Sequence, residues 1–239
     1  MTPRPPQALL FDLDDTMWPI GPVIAAAETG WHTWLAERAP AVTGKYSVEA
    51  LRALRLSLLE KQPELTADLY RLRRVALEAV FAETGADAAH IEGAMQHFNV
   101  LRNDVTLFDD VAPVLAELRG MLRLGVITNG NADLEVIGLH HHFEVALSSA
   151  RFGRAKPDPS IFLSACEAMG VAPQDAVYVG DDLRLDVLGA QAAGMRAVWM
   201  NRIGSNAHIE AGIVPDVICT DFHDLLAWVK EQMRGQMRH

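Results

Sequence analysis

Apolar positions along this chain fall into two textures. Near the start, Ala8-Leu9-Leu10-Phe11 is a short unbroken apolar run. Such a run predicts a strand buried on both faces of a parallel sheet. Across residues 23–101 the apolar positions recur instead at helical spacing. They predict helices over 23–37, 48–60, 65–82 and 88–100, with Ser47 and Thr66 as caps. Trp18-Pro19-Ile20-Gly21-Pro22 breaks the pattern and reads as a linker into this helical stretch; a second join falls at 103–107. From Leu107 onward the texture alternates. Strands are predicted at 124–128, 145–147, 176–179, 196–200 and 217–219. Helices are predicted at 111–119 (capped by Asp109 or Asp110), 132–139, 160–169, 185–193 and 222–233. Alternation of this kind implies an α/β fold, a parallel sheet covered by helices on both faces. The domain reading is a sheet core of residues 1–17 and 105–239 with a helical insertion at 18–104.

Composition narrows the function classes. The 239 residues suit one large domain or two small ones, and half of them are apolar. A net charge of −10 argues against a grip on the phosphate backbone of nucleic acid, though not against a small anionic substrate. Cys166 and Cys219 sit in apolar surroundings and read as buried free thiols. Residues 1–6, rich in proline, read as a short mobile leader without a signal-peptide core. No run is apolar and long enough to span a bilayer. The expectation is a soluble cytoplasmic protein with no membrane or nucleic-acid partner.

Candidate chemistry lies where three predicted strands end. The first runs into Asp12, Asp14, Asp15 and Thr16, the second into Thr128-Asn129-Gly130-Asn131, and a later one into Gly180-Asp181-Asp182 with Asp186 beyond. Parallel strands bring their carboxyl ends to one edge, where open α/β sheets bind ligands. Each cluster alone is ordinary; three together suggest one site. Converging carboxylates need a cation, and without histidine or cysteine among them Mg²⁺ is the natural choice. Thr128 and Asn129, with loop N–H groups, suit phosphate oxygens. Lys156, in Arg154-Ala155-Lys156-Pro157-Asp158-Pro159, is either a surface lysine or a further phosphate ligand.

The arrangement resembles the haloacid dehalogenase superfamily of phosphohydrolases over nearly the whole chain. Asp12-Leu13-Asp14-Asp15-Thr16 matches its Asp-x-Asp-x-Thr signature; Thr128, Lys156 and Gly180-Asp181-Asp182 with Asp186 match its later motifs in order and spacing. The resemblance implies a Rossmann-like core with an inserted α-helical cap of the first type. It implies Asp12 as nucleophile, forming an aspartyl-phosphate, and Asp14 as general acid and then base. Mg²⁺ would be held by Asp12, the Asp14 backbone carbonyl and Asp181, with Asp186 or Asp182 outside them through water. Thr128 and Lys156 would hold the transferring phosphoryl group. The substrate would be a small phosphomonoester.

Three stretches further resemble the flavin-pathway phosphatases, which act on 5-amino-6-(5-phosphoribitylamino)uracil and FMN. They are Ile127-Thr128-Asn129-Gly130-Asn131-Ala132; Val179-Gly180-Asp181-Asp182-Leu183 with Asp186-Val187; and Pro63-Glu64 followed by Asp68, Arg71 and Arg73. Within the insertion, Asp68 and Arg71 can pair along a helix face. Arg71 and Arg73 are either part of a solvated stripe or readers of the substrate. A 5′-nucleotidase or a phosphosugar mutase shares the core motifs. A dehalogenase is disfavoured, because family dehalogenases lack the acid at Asp14. Trp18, Trp31 and Trp34 read as packing residues, and His140-His141-His142 makes a poor metal site because adjacent side chains diverge.

Overall fold

The computed structural model describes residues 4–236. Its elements in chain order are β1 (Ala8–Phe11), α1 (Ile20–Arg38), α2 (Pro40–Thr43), α3 (Val48–Lys61), α4 (Leu69–Thr84), α5 (His90–Arg102) and α6 (Val111–Arg119). They continue with β2 (Arg123–Thr128), α7 (Leu134–Ile137), β3 (Val145–Ser148), α8 (Ser149–Phe152), α9 (Pro159–Ala168), β4 (Ala176–Gly180) and α10 (Gly189–Ala192). The last are β5 (Arg196–Met200), α11 (Ala207–Ala211), β6 (Val217–Cys219) and α12 (Phe222–Gln236). The strands form one parallel sheet in the order β3-β2-β1-β4-β5-β6. This is a Rossmann-like α/β fold. β1 lies in the middle, so Ala8, Leu9, Leu10 and Phe11 are all fully buried, as their unbroken apolar run requires. In register, Leu10 stands between Gly125 of β2 and Tyr178 of β4.

The chain separates into two compact units. One comprises the residues up to Pro19, Thr106–Asn129, and those from Gly138 on; the other comprises Ile20–Val105 and Gly130–Ile137. The second unit packs its helices around Trp31, Leu35, Leu77, Phe81, Met95 and Phe98. Gly130–Ile137 joins it because Asn131 Oδ1 accepts from Arg102 Nε at 3.0 Å, and Asn103 Oδ1 accepts from the Asp133 N–H at 2.8 Å. Inside this unit Arg55 and Arg73 both donate to Glu28 Oε1.

Several local expectations are corrected. Ser47 caps α3 as expected, its Oγ accepting from the Ala50 N–H. Thr66, by contrast, lies in a 3₁₀ turn, Pro63–Ala67, and Asp68 caps α4 through the Arg71 N–H, so that pair meets through backbone. Asp110 makes no cap bond; its carboxylate instead accepts from Arg202 and from the Phe222 N–H. The linker read at 18–22 is already helix from Ile20, because proline is tolerated in a first turn. The helix read at 132–139 shrinks to α7, and the one read at 185–193 begins as a π-helical segment, Leu183–Leu188. Of the leader, residues 1–3 lie outside the described residues, and the Arg4 carbonyl is held by Arg196 Nη2 at 2.9 Å.

Candidate active site

The site grows from the end of β1. The Asp12 N–H donates to Val179 O on β4, so the chain stays in the sheet for one residue more and then turns. Asp15 takes the left-handed conformation (φ 59°), which aspartate tolerates better than most residues. The turn closes with the Asp15 N–H on Trp18 O and the Met17 N–H on Leu13 O. Buried Trp18 donates its indole N–H to Asp14 Oδ1 at 3.0 Å. Trp18 is therefore a packing residue, and it also orients the second acid of the motif.

β4 delivers the other acids. Asp181 Oδ1 accepts from Thr16 Oγ at 3.2 Å, and its backbone carbonyl accepts from the Trp199 indole at 2.7 Å. Asp182 turns away: its Oδ1 accepts from the Arg184 and Leu185 N–H groups and caps the π-helical segment. That cap folds Asp186 back, so its Oδ2 accepts from the Asp182 N–H. Gly180 makes room, since a Cβ there would lie 2.3 Å from Asp186 Oδ2.

Lys156 closes the cluster. It is buried, and its Nζ donates to Asp12 Oδ1 and Asp186 Oδ1, each at 2.6 Å, and to Tyr178 Oη at 2.9 Å. The surface-lysine alternative is thereby removed. Asn129 holds the lysine's backbone, its Oδ1 accepting from the Lys156 N–H (2.8 Å) and its Nδ2 donating to the Lys156 carbonyl (3.0 Å). The Asn129 side chain thus clamps the loop that carries Lys156, at the strand end where a phosphate ligand is expected. Thr128 is buried at the end of β2.

Asp12, Asp181 and Asp186 place carboxylate oxygens within 4.8 Å of one another, the group among the described residues that suits a metal ion. Three acids face one ammonium. Burial holds the Asp12 carboxyl well above its ordinary range, against the pull of Lys156. Burial, with Asp186 and Asp15 nearby, pushes Asp181 up to about 7. A hard divalent cation would relieve both, and the all-oxygen donor set fits Mg²⁺. None of the three consecutive histidines belongs to such a group.

The remaining candidates lie in the second unit. Arg71 is exposed. Arg73 is paired with Glu28 at 2.8 Å and lies over the Phe98 ring at 3.3 Å, with its Nη1 buried and without a hydrogen-bond partner. Trp31 and Trp34 belong to that unit's packing. Among the described residues, no helix is long and apolar enough to cross a membrane. The motifs do not include Tyr178, which falls inside the strand predicted at 176–179. The available signal was a phenol in a fully buried strand, where its hydroxyl needs a partner.

A family model for haloacid dehalogenase-like hydrolases matches residues 6–194. This chain belongs to that family. Similar haloacid dehalogenase-like proteins include the 5-amino-6-(5-phospho-D-ribitylamino)uracil phosphatase YigB of Escherichia coli (strain K12). It is 34% identical over 197 residues, 81% of this chain and 82% of the relative. A glyceraldehyde 3-phosphate phosphatase of Methanopyrus kandleri is 32% identical over 205 residues, 82% and 84% of the two chains. Among solved structures, a 2-haloacid dehalogenase from Pseudomonas syringae pv. Tomato DC3000 superposes with a TM-score of 0.88 at 37% identity, covering 95% of this chain and 99% of that one. A haloacid dehalogenase-like phosphatase from Thermococcus onnurineus gives 0.66 at 27% identity, covering 92% and 95%. With phosphatases on both sides of the comparison and a second acid at Asp14, this haloacid dehalogenase-like chain is a phosphatase.

Proposed function

We propose that the chain hydrolyses a small phosphorylated metabolite with the help of Mg²⁺, through an aspartyl-phosphate on Asp12. The observation that carries this reading is the Lys156 ammonium bridging Asp12 and Asp186 beside Asp181 at the carboxyl edge of the sheet. An Asp12 carboxylate oxygen attacks phosphorus, and the bond from phosphorus to the leaving oxygen breaks. Asp14, oriented by Trp18, gives that oxygen its proton. Asp14 then takes a proton from water as the water oxygen attacks phosphorus, releasing inorganic phosphate and restoring the Asp12 carboxylate. Lys156 and Thr128 hold the phosphoryl oxygens, where opposing charge matters most in the transition state. Asp12, Asp181, Asp186 and the Asp14 carbonyl would hold Mg²⁺, which supplies positive charge against the anionic substrate.

In this proposal Ile20–Val105 serves as the helical cap and the sheet unit as the catalytic core, in a cytoplasmic enzyme without nucleic-acid or membrane partners. The proposed substrate is a ribityl phosphate carrying a flat polar ring, 5-amino-6-(5-phosphoribitylamino)uracil or FMN. The E. coli relative and the three motif stretches support it. Arg71 and Arg73 are proposed to read the part beyond the phosphate. The name of the P. syringae neighbour favours a second reading, dehalogenation. A departing halide needs no proton, however, so a general acid oriented at Asp14 would have no part in that first step.

Release of phosphate from p-nitrophenyl phosphate with Mg²⁺ and with EDTA, beside halide release from 2-chloropropionate, tests the reaction class. Metal-dependent phosphate release without halide release is expected; the reverse would overturn it. Comparing kcat/KM for FMN, the ribitylaminouracil phosphate, UMP and sugar phosphates tests the substrate. A tenfold preference for UMP over both ribityl compounds, about 1.4 kcal/mol in transition-state binding, would replace the ribityl assignment with a 5′-nucleotidase. Conversion of a sugar 1-phosphate to its 6-phosphate would replace it with a mutase.

A further inference from the structure

Tyr178 lies on β4 with no exposed surface. Its hydroxyl makes two hydrogen bonds, accepting from Lys156 Nζ at 2.9 Å and donating to the Ile127 carbonyl of β2 at 2.8 Å. Because β1 separates β4 from β2, the phenol spans the central strand to make the second bond. The ring is held by edge contact with Phe162, centroids 4.9 Å apart. An ammonium has three N–H donors. Those of Lys156 are shared among Asp12, Asp186 and Tyr178.

The geometry points to Tyr178 as a positioning residue for phosphoryl transfer: anchored on Ile127, its hydroxyl fixes the Lys156 ammonium between Asp12 and Asp186. The inference rests on the phosphatase reading above. In that reading Asp12 changes from carboxylate to acyl phosphate and back, so its hold on the ammonium varies through the cycle. The bond to Tyr178 is to a neutral group and does not vary. The phenol's own proton is committed to a backbone carbonyl, which turns the oxygen's lone pairs toward the lysine. Ile127 immediately precedes Thr128, so one side chain sets the lysine against the strand end that carries the other phosphate-holding group. A buried tyrosine that merely satisfied its hydroxyl would need only one of these two partners.

Tyr178→Phe keeps the ring and removes the oxygen. With p-nitrophenyl phosphate and Mg²⁺, kcat is expected to fall about 10- to 100-fold, the cost of misplacing a reacting group by a fraction of an ångström to one. KM should stay within about threefold, since the ground-state ester is held by other groups as well. Inhibition by vanadate, a mimic of the transition state, should weaken in step with kcat, while inhibition by inorganic phosphate changes little. Cys166→Ala, in the same apolar cluster, serves as a control that loses stability and keeps kcat. If Tyr178→Phe melts below the assay temperature, protein made with 3-fluorotyrosine replaces it; this keeps the hydroxyl but weakens it as an acceptor, and a severalfold lower kcat is expected. Wild-type kcat and vanadate inhibition in the folded variant, or in the fluorinated protein, would overturn the inference. Wild-type protein without any phosphatase activity would instead overturn the reading beneath it.

Discussion

Asn129 grips Lys156 by both ends of its carboxamide, one bond to the lysine's N–H and one to its carbonyl. The clamp fixes the backbone from which the buried ammonium reaches Asp12 and Asp186. Asn129→Ala leaves two backbone groups of Lys156 without these partners, a cost of about 1–3 kcal/mol for each that stays buried. The expected result is a lower melting temperature and a kcat reduced roughly tenfold or more. Steady-state kinetics beside calorimetry checks both; unchanged kcat would show that the clamp does not position the lysine.

Asp12→Asn should fold and lose turnover to background, because an amide cannot form the acyl phosphate. Asp14→Asn should lose more activity on alkyl phosphates than on p-nitrophenyl phosphate, whose leaving group needs no proton. Equal losses on both would remove Asp14 from the acid role.

Asp181 gives a pH prediction with a definite sign. Its carboxyl is raised to about 7 from an ordinary 3.8. Between those values the folded, metal-free protein holds a proton that the unfolded chain has released. This group's contribution therefore makes the protein less stable as pH rises through that window. In EDTA, the melting temperature of Asp181→Asn should depend less steeply on pH over this range than that of wild type. Mg²⁺ competes with the same proton, so the concentration for half-maximal activity should rise as pH falls below about 7. A half-activating concentration that is flat in pH would contradict this.

Gly180, at the end of β4, leaves no room for a methyl group beside the acidic cluster. A Cβ there would lie 2.4 Å from Asp186 Cγ. Gly180→Ala should displace Asp186, lower kcat by about tenfold or more and raise the Mg²⁺ requirement. Metal titration of activity would show it; wild-type metal dependence would mean that Asp186 does not contribute to the cation site.

In the helical unit, Glu28 balances two buried guanidinium groups. Burial, reinforced by Arg73, lowers the Arg55 guanidinium to about 10. Glu28→Ala strands both cations and should destabilise the fold by about 3–5 kcal/mol, read by denaturant melts. A loss under about 1 kcal/mol, the range of surface pairs, would mean that water replaces the carboxylate.

The strands, the long helices of the insertion and the acidic strand ends were legible in the chain because each is written in local periodicity. Ala8–Phe11 needed only its neighbours to be read as a buried strand, and Ser47 only the residues just after it to be read as a cap. The Asp-x-Asp-x-Thr run and the later motifs carried the family in the same way. What tertiary structure alone decided are the pairings between segments far apart in sequence. Lys156 and Asp12 are 144 residues apart, yet the lysine ammonium donates to the carboxylate at 2.6 Å. The choice of Asp186 over Asp182 for the cluster depended on which carboxylate the backbone turn consumed as a cap. Asn129 became a clamp, Tyr178 a bridge, and Gly130–Ile137 part of the helical unit through contacts that periodicity cannot encode. A side chain's residue type states which bonds it can make; only the folded chain determines which partner lies within 3 Å to receive them.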